Sequence, residues 1–174
     1  YECPMDTFIK KVHNACIENT NILIRNKPCN QKIKVVNGII PMLERFKSEG
    51  FYLAIVTSRT FPSTFKYIQY FELDKYFDAV ITPECTKEHK PNAAPGKFAL
   101  NKLIQIKNGE FDKWNWGIEK NKASEENEMN PIPDDVIQNS YLIGDAIHDI
   151  QCGNTAGCKS IWASWSINEK EKGN

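Results

Sequence analysis

Tyr141-Leu-Ile-Gly144-Asp145-Ala-Ile-His-Asp149 is the stretch on which the reading of this chain turns. Tyr141 to Ile143 reads as a strand, and Gly144 and Asp145 follow it directly. A helix over about Ile147 to Ala156 comes next, stopped by Gly157, and Ser160 to Ala163 reads as a further strand. Asp145 and Asp149 are therefore two carboxylates four residues apart, facing one ligand position at the end of a strand. Oxygen ligands on a rigid turn suit a hard cation such as magnesium, which keeps several waters and takes one or two carboxylates. A single Asp in such a place is more often a loop or helix-cap carboxylate, but the pair in this setting favours the metal. Nothing makes His148 a ligand, and an exposed helix position suits it better.

Upstream, the same strand and helix rhythm appears. A helix with Pro41 in its first turn and Ile40, Leu43 and Phe46 at helical spacing ends at Gly50. Phe51 to Val56 follows as an apolar run, expected to be a strand covered on both faces. Pro62 to about Leu73 reads as a helix, Phe77 to Ile81 as a buried strand, and Ala94 to Lys107 as another helix. Alternating strands and helices imply an α/β chain: a Rossmann-like parallel sheet with helices on both faces, since each parallel crossover needs a helix. Residues 106–138 interrupt the rhythm as an insertion containing Trp114, Trp116, Pro131 and Pro133. The two tryptophans could form a lid or anchor the insertion to the core, and they are assigned no function. Asn108-Gly109 fits a helix stop better than a hairpin turn.

Composition limits the classes open to such a fold. The 174 residues are 41% hydrophobic and 25% charged, which suits one globular domain with a substantial core. Lys plus Arg and Asp plus Glu both number 22, so no broad charge footprint points to nucleic acid or an anionic membrane. No apolar run approaches the roughly 18 residues of a membrane span. The six cysteines, Cys3, Cys16, Cys29, Cys85, Cys152 and Cys158, contain no Cys-x-x-Cys pair. Incidental or buried thiols are expected ahead of a disulfide framework, which favours a reducing, cytoplasmic setting. Position 1 is Tyr, so a preceding segment is expected.

Two further groups reach the sheet edge where Asp145 stands. Thr57 and Ser58 place hydroxyls just past the strand ending at Val56, where open α/β sheets bind ligands. Lys90-Pro91 follows the strand ending near Thr82 and precedes a helix. A lone lysine is ordinarily a solvated side chain. Together with backbone amides, a metal, a cation and hydroxyl donors describe a site for an anionic ligand, suited to a transferring phosphoryl group.

At this point the chain resembles the haloacid-dehalogenase-like superfamily, phosphatase branch. Leu53-Ala-Ile-Val-Thr57-Ser58 is similar to its second motif, Lys90-Pro91-x-x-x-Pro95 to its third, and Gly144-Asp145-x-x-x-Asp149, with Gly153, Ala156 and Gly157, to its fourth. The resemblance implies that Thr57 hydrogen-bonds the phosphoryl group and Lys90 balances the charge of nucleophile and phosphate. Asp145 would bind Mg2+ directly, and Asp149 directly or through water. It implies a phosphomonoesterase acting on a small phosphorylated metabolite through an aspartyl-phosphate.

The superfamily's first motif, an Asp-x-Asp at the end of an apolar strand, has no counterpart here. Asp6-Thr7 is the only early candidate, and Tyr1 to Met5 is too short and irregular to form the strand. Phe8, Ile9, Val12, Cys16 and Ile17 instead recur at helical spacing, so residues 1–36 are expected to be part of a helical cap and 37–174 the core. The absent strand lies mid-sheet in the superfamily. Removing it would strand about ten amide groups at roughly 1–3 kcal/mol each, against a net stability of about 5–15 kcal/mol. The strand and its nucleophile are therefore expected in residues preceding Tyr1. The alternative is a non-catalytic fragment or paralogue retained for binding or assembly. Metal-free dehalogenation fits less well, because the superfamily's dehalogenases carry no full Gly-Asp-x-x-x-Asp.

Overall fold

The computed structural model of the chain describes residues 35–110 and 130–164. The expected cap, Asp6-Thr7, Trp114 and Trp116 lie outside these. Ile39–Ser48 forms α1, Ala54–Val56 β1, Phe61–Tyr70 α2, Ala79–Ile81 β2 and Ala94–Lys107 α3. Asp134–Gln138 is α4, Tyr141–Gly144 β3, Ile147–Ala156 α5 and Lys159–Trp162 β4. No helix among the described residues is long and apolar enough to cross a membrane.

α1, α2, α3 and α5 end alike. After α1, Gly50 at φ 82° donates to Lys47 O and Phe51 donates to Phe46 O at 3.0 Å. This is a Schellman stop, and the Phe46 and Phe51 rings, 5.4 Å apart, close it with the usual apolar contact. The stop shortens the strand expected over Phe51 to Val56. Phe51 still belongs to the helix end, Phe51 and Tyr52 are exposed, and β1 keeps three residues, which are half-buried. Phe77 to Ile81 shortens likewise, since Asp78 is spent on a side-chain task. Its carboxylate accepts from Leu53 N at 2.8 Å and from Lys47 Nζ at 2.7 Å, tying α1 to the start of β1. At the end of α3, Gly109 at φ 73° and Glu110 N on Gln105 O bear out the helix stop.

The strands pair in parallel, as two ladders. In the first, Ala54, Ile55 and Val56 lie opposite Ala79, Val80 and Ile81. In the second, Tyr141 to Gly144 lie opposite Lys159 to Trp162. Helices cover both faces of the first ladder. Ile55 and Val80 pack with Phe65 and Ile68 of α2, while Ala54, Val56 and Ile81 pack with Phe98 and Ala99 of α3. α5 covers one face of the second ladder and α3 packs against it, so α3 and α5 hold the ladders together. A Cβ on Gly96 would lie 3.2 Å from Ala156 Cβ, and one on Gly153 would lie 2.4 Å from Ser160 Oγ. Both glycines allow close approach, of α3 to α5 and of α5 to β4.

Bond direction locates the open edges. Leu53 O accepts from Asp78 N and Ala79 N, and Thr57 N donates to Ile81 O, so the intervening Ala54 and Val56 point their backbone groups away from β2. Ser140 O accepts from Lys159 N and Gly144 O from Ala163 N, so Tyr141 and Ile143 point theirs away from β4. Among the described residues no strand pairs with either edge.

Candidate functional site

The carboxyl ends of β1 and β3 are joined by a lysine. Lys90 Nζ donates to Val56 O at 3.1 Å and to Asp149 Oδ1 at 2.6 Å. Both side chains are nearly enclosed, at 8% exposure for Lys90 and 10% for Asp149. Asp149 Oδ2 accepts from Ala146 N at 3.2 Å, so the carboxylate also caps the start of α5. Burial pushes the Asp149 carboxyl up. The Lys90 hydrogen bond, the Ala146 amide and the Lys90 charge together outweigh that and hold it below the usual carboxylate range. It stays ionised at neutral pH, opposite an ammonium with little access to water.

Gly144 makes this arrangement possible, since a Cβ there would lie 2.3 Å from Asp149 Cβ. Asp145, one residue on, is exposed and makes no hydrogen bond among the described residues. His148 is half-buried, with Nε2 3.7 Å from Asp149 Oδ1, so it leans on the carboxylate rather than standing free in solvent.

Beside Lys90 opens a cleft of about 340 Å³, lined by Thr57, Ser58, Thr60, Thr82, Thr86, His89 and Lys90, with Ile81, Pro83 and Pro95. Its walls are the loops after β1 and β2. Thr57 Oγ1 accepts from Arg59 N at 3.1 Å, which leaves its hydroxyl proton free to donate. Ser58 is exposed, and its amide and hydroxyl make no hydrogen bond among the described residues. The structure thus brings Thr57, Ser58 and Lys90 to one cleft and ties Asp149 to it through Lys90. Asp145 and Asp149 are not among the residues lining the cleft.

A metal has a partial donor set here. Asp145 and Asp149 supply hard oxygens, and no group of three His, Cys, Asp or Glu residues gathers among the described residues. Two carboxylates fit magnesium, which completes its shell with water and ligand oxygens. Buried Cys152 and half-buried Cys158 are free, and burial pushes both thiols up. With Cys85, also free, they read as packing thiols.

Sequence reading missed Glu84 and Asp78. Glu84 accepts the Phe61 N–H with both carboxylate oxygens at 3.2 Å, across 23 residues. No local pattern could have announced it.

Comparison with known proteins bears on the family and the fold. The haloacid dehalogenase-like hydrolase family matches residues 2–111. A sequence of Caldanaerobacter subterraneus that bears the name PpaX is 28% identical over 134 residues, covering 77% of this chain and 47% of its own. Pyrophosphatase PpaX of Halalkalibacterium halodurans is 24% identical over 135 residues, covering 78% of this chain and 49% of its own. The chain therefore spans about half the length of these curated relatives. The crystal structure of a HAD-superfamily hydrolase from Ehrlichia chaffeensis matches with a TM-score of 0.54 at 22% identity, covering 91% of this chain and 65% of that one. That likeness establishes the fold.

Proposed function

The chain belongs to the haloacid dehalogenase-like hydrolase family, and from that premise we propose that it carries the phosphate- and magnesium-binding part of a phosphomonoester hydrolase. The observation that carries this reading is the buried Lys90–Asp149 pair, which stands between a hydroxyl-lined cleft and the carboxylates after β3.

In the proposed mechanism Thr57 and Ser58 donate hydroxyl hydrogen bonds to the phosphoryl oxygens. Lys90 places a fixed positive charge beside them without solvent reorganisation, because its ammonium is already held by Val56 O and Asp149. Asp145 and Asp149 would hold magnesium, which when bound neutralises phosphoryl charge and orients the group. Asp149 also fixes the position of Lys90.

The attacking carboxylate is assigned to a segment outside this chain, since no Asp-x-Asp occurs in its 174 residues. The edges of β1 and β3 at which no strand pairs among the described residues support that assignment; Ala54, Tyr141 and Ile143 point their backbone groups there, as does Val56, whose carbonyl is held by Lys90. A parallel strand spaced about 4.8 Å from each neighbour would satisfy both edges and end beside Lys90. An apolar strand followed by Asp-x-Asp is expected upstream of Tyr1, and intact mass of the natural protein checks this. A native chain beginning at Tyr1 would support the second reading, a non-catalytic member kept for binding or assembly.

A generic aryl phosphate is the first substrate to test for a phosphomonoester hydrolase, and relatives named pyrophosphatase add inorganic pyrophosphate, a phosphoanhydride, as the second. The full-length protein is expected to hydrolyse one of them in a magnesium-dependent manner, with activity lost in Asp145→Asn. Undiminished activity in that variant refutes the metal assignment. Free Cys85, Cys152 and Cys158 support a cytoplasmic setting.

A further inference from the structure

We propose that Glu84 is a positioning residue that sets the spacing of the two cleft walls and thereby presents Thr57, Ser58 and Thr60 to a bound phosphoryl group. It rests on the reading of the cleft as a phosphate site. α2 begins after Thr60, the residue type that normally caps its own helix by accepting a backbone N–H. Here the Thr60 side chain makes no such bond. Glu84, from the loop after β2, accepts the first N–H of α2, at Phe61. The next residue, Pro62, has no N–H to offer.

This contact joins the two walls. Thr60, whose side chain makes no capping bond, lines the cleft with Thr57 and Ser58. The loop 57–60 is also fastened to the short helical turn Pro83–Cys85, whose neighbours Thr82 and Thr86 line the opposite side. That turn is anchored in the core by buried Thr82 and Cys85, with Thr82 N on Cys85 Sγ at 3.5 Å. Glu84 thus ties the loop after β1 to a turn anchored in the core. Its negative charge is spent on the N-terminal end of α2, where the helix dipole favours it. Glu84 itself is absent from the cleft lining, so it acts through the hydroxyls and not on the ligand.

The test uses the full-length protein, with Glu84→Ala removing the acceptor and Glu84→Gln keeping one. In Glu84→Ala, KM for the phosphate ester is expected to rise about tenfold, as for a lost cap expressed in binding, while Glu84→Gln stays within about twofold. Amide hydrogen exchange over residues 57–64 is expected to quicken in Glu84→Ala and to be restored in Glu84→Gln. Unchanged KM in Glu84→Ala alongside quicker exchange would reduce Glu84 to a stabilising cap and overturn the proposal. Unchanged exchange would overturn it as well. Thr57→Val serves as the reference: if that variant keeps its KM, the phosphoryl reading of the cleft fails, whereas the exchange experiment still judges the clamp.

Discussion

The two parallel ladders are built from the same local unit, a strand, a helix and a strand, yet they are buried differently. Val80 and Ile81 in the first are 2% and 3% exposed, whereas Ile143 and Ile161, paired with each other in the second, are 42% and 45% exposed. α2 and α3 sandwich the first ladder. α5 covers only one side of the second, and among the described residues nothing covers the side that bears Tyr141, Ile143 and Ile161. The difference teaches where stability and chemistry reside. The first ladder carries the more deeply buried core and offers hydroxyls, and the second is a platform for carboxylates, held against the first by α3, α5 and the Lys90–Asp149 pair.

Breaking that pair should cost most. Asp149→Ala leaves the Lys90 ammonium enclosed without its counter-ion, an expected loss of about 3–5 kcal/mol by denaturant titration, whereas Lys90→Met with Asp149→Leu should recover most of it. Ile68→Ala, in the core of the first ladder, is expected to cost about 3 kcal/mol, against less than about 0.5 kcal/mol for Ile161→Ala. Equal losses at the two sites would mean that the second ladder is covered as well as the first. Gly144→Ala should cost about 1–3 kcal/mol through overpacking against Asp149, and magnesium binding by the full-length protein should weaken with it.

The pair also predicts a pH dependence. The folded Asp149 carboxyl titrates below its ordinary value of about 3.9, so the unfolded state takes up the proton first as pH falls. Its contribution to stability is therefore complete above about pH 4 and is lost as pH drops through the lower folded value. Asp149→Asn should flatten the acid limb of the stability curve measured by denaturant midpoint. The smallest effect concerns Glu72, which follows α2 at φ 52° with Leu73 N on Ile68 O, the same stop that glycine supplies after α1. Glu72→Gly is expected to gain up to about 1 kcal/mol by relieving the left-handed strain, read as a higher thermal midpoint.

Much of this organisation was legible in the chain itself. The helices read over Ala94 to Lys107 and Ile147 to Ala156 are α3 and α5, since apolar spacing and a terminal glycine are both local signals. Strand starts were less legible. Phe51 and Phe77 continue apolar runs in sequence, but a helix stop claims Phe51 and the Asp78 carboxylate intervenes before β2. At the site, Thr57, Ser58 and Lys90 were placed at one edge by strand ends alone, and the structure brings them to one cleft. The task of Glu84 depends on groups meeting from separate elements, which leaves no periodic trace.

The sequence by itself determined the kind of fold and the residue types gathered at its edge. Hydrophobic spacing and glycine stops act within a few residues of one another, and each motif is itself a short stretch. Only the tertiary structure decided that the described strands form two separate parallel ladders, that Lys90 is enclosed by Val56 and Asp149 rather than solvated, and that Asp145 stays exposed while Asp149 is buried. Those outcomes depend on desolvation and on contacts between residues up to 59 positions apart, which the order of residues along the chain does not display.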